Sequence, residues 1–189
     1  PHFRIRDTVR LITDASVDPI PAAGSVWSSA RDMGTWVRFL LDSGAVAGRR
    51  VVSDEGFRML FQPHALIGRD EFYPTARLTQ PHWMTYGLGW FQQDYRGHFV
   101  AFHTGSMDGR TGIIGLLPDL DVGVYVFGNL DHAEFRHAVM LKVFDLFLGG
   151  PPRDWSTELL KLYGDLRTER DTALAVADAA RVPDTRPTL

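Results

Sequence analysis

Val100-Ala101-Phe102-His103-Thr104-Gly105-Ser106-Met107-Asp108-Gly109 is the stretch whose reading decides the fold. Its first part alternates. Phe99, Ala101 and His103 fall on one face of a strand, and His98, Val100 and Phe102 on the other. The run Gly105-Ser106-Met107-Asp108-Gly109 then reads as a turn-rich break where backbone can come close to a ligand. Two apolar runs follow, Gly112 to Leu117 and Val122 to Phe127. Pro118-Asp119-Leu120-Asp121 joins them as an antiparallel hairpin. A His-Thr-Gly at a strand end, with donor backbone behind it, has a shape suited to holding a carbonyl group.

Upstream, Ser29 with Asp32 three places on reads as a helix cap, and Met33, Trp36, Val37, Leu40 and Leu41 follow at helical spacing up to Ser43-Gly44. Ser53 caps a second, shorter helix that Pro63 ends. Gln62 to Trp83 reads as a long loop, and Tyr86 to Phe91 as the first clear strand. Arg96-Gly97 is a tight turn into the central stretch. Pro1 to Val9 is an edge strand or an extended loop.

Downstream of the hairpin, Asp131-His132-Ala133-Glu134 is a capping signal. The helix it opens carries Phe135, Val139, Val143 and Leu146 on one face, with Phe144, Phe147 and Leu148 widening the stripe. Gly149-Gly150-Pro151-Pro152 is the strongest break, and a helix capped by Asp154 follows. These breaks divide the chain into 1–150, a helical segment 151–181, and 182–189, which has the composition of a linker.

Composition narrows the classes. The chain has 189 residues, is 44% hydrophobic and carries twelve Phe and five Trp, enough for a sizeable core. A formal charge of -3 offers no electrostatic basis for nucleic-acid binding. The absence of cysteine removes disulfides and thiolate chemistry, and is compatible with export. No apolar run approaches a membrane span. Pro1-His2-Phe3 is no signal peptide, and the true start is expected upstream, so the compartment is not legible.

His103-Thr104-Gly105 resembles the third motif, Lys-Thr-Gly or its His-first variant, of the serine β-lactamase and penicillin-binding-protein superfamily. The wider pattern looks like the class C branch and its esterase-like relatives. It comprises Pro21 to Met33, Tyr86-Gly87-Leu88-Gly89-Trp90, His103 to Ser106, Gly109, Pro118 and Gly123 to Asn129. The resemblance implies an α+β fold, an antiparallel β-sheet flanked by helices, forming part of a β-lactamase/transpeptidase-like domain. It implies that His103 is a polar or cationic group beside the substrate carbonyl or carboxylate, able to titrate near neutral pH. Thr104 would offer a hydroxyl, Gly105 would admit the substrate, and the Ser106 backbone N–H would form half of an oxyanion hole. Asn129, on a strand beside the central one, and Tyr86 would line the site. Outside that context His103 reads as a hydrogen-bonded strand residue, Asn129 as a turn-former and Tyr86 as core.

The departures from the pattern are equally informative. That superfamily attacks with the serine of Ser-x-x-Lys. Here Ser16, Ser25, Ser28, Ser29, Ser43, Ser53, Ser106 and Ser156 all lack a lysine three residues on. Asn129 is the only asparagine and follows Phe127 by two, so no Tyr-x-Asn exists. Ser106 as a nucleophile has no local motif, and neither has a triad of His103 with Asp108. The sequence therefore reads as the C-terminal part of a serine hydrolase, inactive alone, whose parent cleaves an ester, amide or lactam through an acyl-serine. A non-catalytic binding or sensing module is the alternative, and a domain split over two chains is a third reading. No cofactor or metal is expected, because His98 and His103 face opposite ways and His132 and His137 share no helix face. The expected partners are the small-molecule substrate and either the missing N-terminal half or a second copy.

Overall fold

Three two-residue turns set the frame: Ala47-Gly48, Arg96-Gly97 and Asp108-Gly109, all with positive φ at both positions. Such turns match the twist of the strands they join. The computed structural model describes residues 1–5, 8–14, 16–131 and 134–181. In chain order its elements are β1 (His2–Ile5), β2 (Thr8–Leu11), the single-turn α1 (Pro21–Gly24), α2 (Ala30–Leu41), β3 (Ala45–Val46), β4 (Arg49–Arg50) and α3 (Asp54–Phe61). Then come β5 (Ala65–Leu66), α4 (Ala76–Thr79), β6 (Met84–Tyr86), β7 (Phe91–Tyr95), β8 (His98–Met107), β9 (Arg110–Leu117), β10 (Val122–Gly128), α5 (Phe135–Leu148) and α6 (Trp155–Ala179).

The main sheet has six strands in the order β10-β9-β8-β7-β6-β5, each antiparallel to its sequence neighbour. This is the expected α+β class. The alternation in β8 sorts two apolar layers. Val100 and Phe102 join Ile113, Leu117, Leu141, Phe144 and Trp155 on the side of α5 and α6. Ala101 joins Ile114, Leu116, Val37 and Leu40 on the side of α2. Among the described residues no helix is long and apolar enough to cross a membrane.

Local signals explain the helix ends. Ser29 accepts from the Asp32 N–H and donates its hydroxyl to the Asp32 carboxylate, and Ser53 accepts from the Gly56 N–H. Gly149 and Gly150, at φ 69° and 101°, end α5, where left-handed backbone costs glycine least. Asp154 caps α6, whose Trp155 and Leu159 are buried in the same layer as Phe144. The expected linker, 182–189, lies outside the described residues.

Several elements differ from the sequence reading. β8 does not break at Gly105; it runs on through Met107, because the turn needs only Asp108-Gly109. Tyr86 to Phe91 is not one strand but the corner between β6 and β7. A Cβ on Gly87 would lie 2.4 Å from the Leu60 carbonyl oxygen, and Gly89 sits at φ 81°. Gln62 to Trp83 is more than loop: it holds β5 and α4 and buries Phe72 and Ala76. In α5 the stripe Phe135, Val139, Leu146 and Phe147 is exposed, and the buried side chains are Arg136, His137, Ala138, Met140, Leu141 and Phe144. His132 and Ala133 of the expected cap lie outside the described residues, and Glu134 stands at the N-cap without a side-chain cap bond.

Candidate functional site

β8 is longer than its neighbour. β7 pairs only as far as Phe102, whereas β9 pairs with β8 from Ala101 through Met107. The segment His103–Met107 therefore has β9 on one side and no described strand on the other. The two-residue turn makes Met107 and Arg110 a hydrogen-bonded pair, so Gly105 and His103 also bond toward β9. By alternation, the N–H and C=O groups of Thr104 and Ser106 point into the open side, where the Tyr73 hydroxyl donates to the Thr104 carbonyl at 3.4 Å. The Arg96-Gly97 turn fixes the same parity from the β7 side, since Tyr95 with His98 is its first pair.

Tyr86 and His103 meet at one end of this open stretch. The Tyr86 hydroxyl shares a hydrogen bond with His103 Nε2 at 3.2 Å, and the His103 ring stacks on Phe91 at 5.7 Å. One edge of the imidazole stays open to solvent, but the aromatic rings around it push its pKa below the ordinary imidazole value. Burial thus favours the neutral imidazole of His103.

Thr104 and Ser106 turn their side chains the other way, toward α5. Thr104 Oγ1 donates to the Gly112 carbonyl at 2.8 Å and accepts from Arg136 Nε at 2.5 Å. Ser106 Oγ donates to Thr111 Oγ1 at 3.2 Å and accepts from Arg136 Nη1 at 3.3 Å. Arg136 also donates to Thr111 Oγ1 and lies 3.3 Å from Glu134. Its guanidinium, 3% exposed, pins three hydroxyls on the underside of β8 and β9. Sequence reasoning missed Arg136; the available signal was a charged residue at helical spacing from Met140 and Phe144. What Thr104 and Ser106 present to the open side is backbone.

The remaining candidates separate. Gly105 is exposed, and a Cβ there would meet nothing within 4 Å. It faces Gly112 across the pair, and the Tyr125 hydroxyl borders the patch on the Gly112 side. Asn129 follows β10, which pairs with β9 and not with β8 as expected. It is exposed at the same end of the sheet as Ser106, two strand spacings or about 10 Å across, and its carbonyl contacts His2 Nδ1. Three residues of strand, about 10 Å, separate His103 from Ser106, and their side chains leave opposite faces. Asp108 lies about 17 Å along β8 from His103, so these two form no dyad.

The family model described as Beta-lactamase matches residues 3–143 of this chain. A curated relative, "Unguisins hydrolase ungD" of Aspergillus violaceofuscus, is 28% identical over 172 residues, covering 80% of this chain and 28% of the relative. The octameric penicillin-binding protein homologue from Pyrococcus abyssi is similar in structure, with TM-score 0.53 and 21% identity over 66% of this chain and 25% of that one. The chain thus spans little more than a quarter of the relatives it matches.

Proposed function

This chain belongs to the β-lactamase family, and on that footing we infer that it is the substrate-side part of a serine hydrolase acting on an ester, amide or lactam. The observation that carries the reading is the open half of β8, where the backbone of Thr104 and Ser106 faces outward beside a bare Gly105. A substrate carbonyl lying along this edge meets the Ser106 N–H where its oxygen gains charge. Tyr86 and neutral His103 bound one end of the site and offer hydrogen bonds without a formal charge. Arg136 holds the strand from below and does not touch the substrate.

The nucleophile comes from outside these residues, because none of the eight serines has a lysine three places on. In the complete hydrolase a serine oxygen adds to the carbonyl carbon. Its proton passes to the leaving oxygen or nitrogen as that bond breaks. Water then attacks the acyl-serine, releasing a carboxylate and restoring the hydroxyl. Asn129 stands at the far margin of the site. The curated relative is likewise named a hydrolase.

Labelling with a fluorophosphonate serine probe, read by intact mass under denaturing conditions, tests this. The 189-residue chain stays unmodified, and a longer polypeptide containing it takes one label on a serine outside these residues. Label on Ser106 of the isolated chain would overturn the reading. A longer polypeptide that takes no label would leave a non-catalytic binding module with the same fold.

A further inference from the structure

The open side of β8 is not equally open along its length. Thr104 and Ser106 each turn one N–H and one C=O toward it, about 7 Å apart at strand rise. The Thr104 carbonyl is already engaged, because the Tyr73 hydroxyl donates to it at 3.4 Å. Among the described residues nothing donates to the Ser106 carbonyl. Tyr73 reaches this point from the connection between β5 and α4, past the end of β7. It is held there from both chain directions. Phe72 before it is buried, and the Ala76 N–H at the start of α4 donates to the Tyr73 carbonyl at 2.9 Å. Its ring packs on Phe91, Phe102 and His137 at centroid distances of 5.0, 5.8 and 5.4 Å. Withdrawing the hydroxyl means repacking neighbours from β7, β8 and α5. Burial raises the pKa of the phenol, so the hydroxyl keeps its proton and stays a donor.

We propose that Tyr73 is a specificity-determining residue: it leaves a substrate only the backbone pairing of Ser106, and so selects esters or amides that are compact on the Thr104 side over extended peptides. The proposal rests on the hydrolase reading and narrows its substrate class. A peptide laid antiparallel on β8 bonds to every second residue, which here means Thr104 as well as Ser106. Its backbone would run about 4.8 Å from β8, in the space that the Tyr73 phenol occupies. The peptide N–H opposite Thr104 would find a carbonyl whose outward direction is filled, and a desolvated N–H without a partner is penalised. A compact ester ends before that point and loses nothing. Tyr86, bonded to His103, stands at the same end, so two phenols bound the site where β7 stops.

Three esters with one common reactive unit test this in the full-length polypeptide. One is N-acetylalanine methyl ester, the second carries an added tri-alanine segment on the acyl side, and the third carries it on the alcohol side. The compact ester is expected to have the highest kcat/KM. Tyr73→Phe keeps the ring and clears the hydroxyl. It should raise the extended-to-compact ratio, on the side that runs toward Thr104, by about threefold to tenfold, the worth of one hydrogen-bonding position. Tyr73→Leu, which removes the ring as well, should raise it further. A Tyr73 that only staples its connection to β8 would scale all three esters together. Unchanged ratios in both variants, or a wild type that cleaves both extended esters as well as the compact one, would overturn the proposal alone. Absence of turnover with all three esters would overturn the hydrolase reading and this inference with it.

Discussion

Arg136 and Thr104 are joined through the sheet: the guanidinium Nε donates to the threonine hydroxyl at 2.5 Å from a residue 32 positions later in the chain. The strand that carries the proposed site is thus braced by a buried cation on its other side. Replacing that cation by methionine leaves Glu134 and the hydroxyls of Thr104 and Thr111 without it. Arg136→Met is expected to destabilise the chain by about 3–5 kcal/mol, the scale for breaking a buried ion pair from one side. Arg136→Lys should recover little, since one ammonium cannot reproduce the forked contacts. Urea unfolding of both variants measures this, and a loss below about 1 kcal/mol for methionine would refute the brace.

Gly105 separates activity from stability. Its missing side chain faces open space, so Gly105→Val should leave the unfolding free energy within about 0.5 kcal/mol. The same change covers the proposed substrate floor, and kcat/KM of the complete hydrolase should fall by about tenfold or more, a barrier increase of about 1.4 kcal/mol. Unchanged kinetics in a folded variant would place the substrate elsewhere.

Stability should decline on mild acidification. Burial lowers the pKa of His137, outweighing the nearby Glu134 carboxylate, and lowers that of His103 as well. The folded chain therefore binds fewer protons than the unfolded one. Stability is full above the unfolded imidazole value, about 6.5, and falls as pH drops below it toward the folded values. Asp94, which accepts from His82 and Trp83, has a lowered pKa and contributes a separate loss at more acidic pH. Denaturant midpoints across pH 8 to 5 report the first window. His137→Phe should flatten it, and an unchanged slope in that variant would remove His137 from the account.

Gly87 and Gly89 answer to different constraints. Gly87→Ala drives a Cβ against the Leu60 carbonyl at 2.4 Å, a backbone atom that cannot swing aside. About 1–3 kcal/mol is expected, the range for overpacking. Gly89→Ala meets no atom within 4 Å but must hold φ near 81°, at about 1–2 kcal/mol. Crystal structures of the two variants distinguish the causes: a shifted α3 end in the first, an unshifted backbone in the second.

How much of this was legible in the sequence depended on how local the determinant was. The capping serines Ser29 and Ser53 announced their helices because the bond that starts each helix lies within four residues. The alternation of β8 gave both apolar layers for the same reason. The corner at Gly87 was hidden, since its requirement comes from Leu60, a residue of another element. The face of α5 was misjudged because both stripes are apolar, and only packing on the sheet decides that Met140 and Phe144 go inward while Phe135 and Phe147 stay out. His103, Thr104, Gly105 and Ser106 were found together as one tripeptide pattern and its successor. Their division into two faces, with His103 toward Tyr86 and Ser106 toward Arg136, needed the partners' positions.

The Asp108-Gly109 turn carries an odd-even rule for everything built on it. Each added or lost residue in that connection rotates the strand by half a turn relative to β9. Thr104 and Ser106 would then bond inward, and His103 and Gly105 would take over the outward edge. The length of a surface turn thus determines which amides face the open side of β8. Variation that preserves this edge must keep the number of residues between Met107 and Arg110, now two, even.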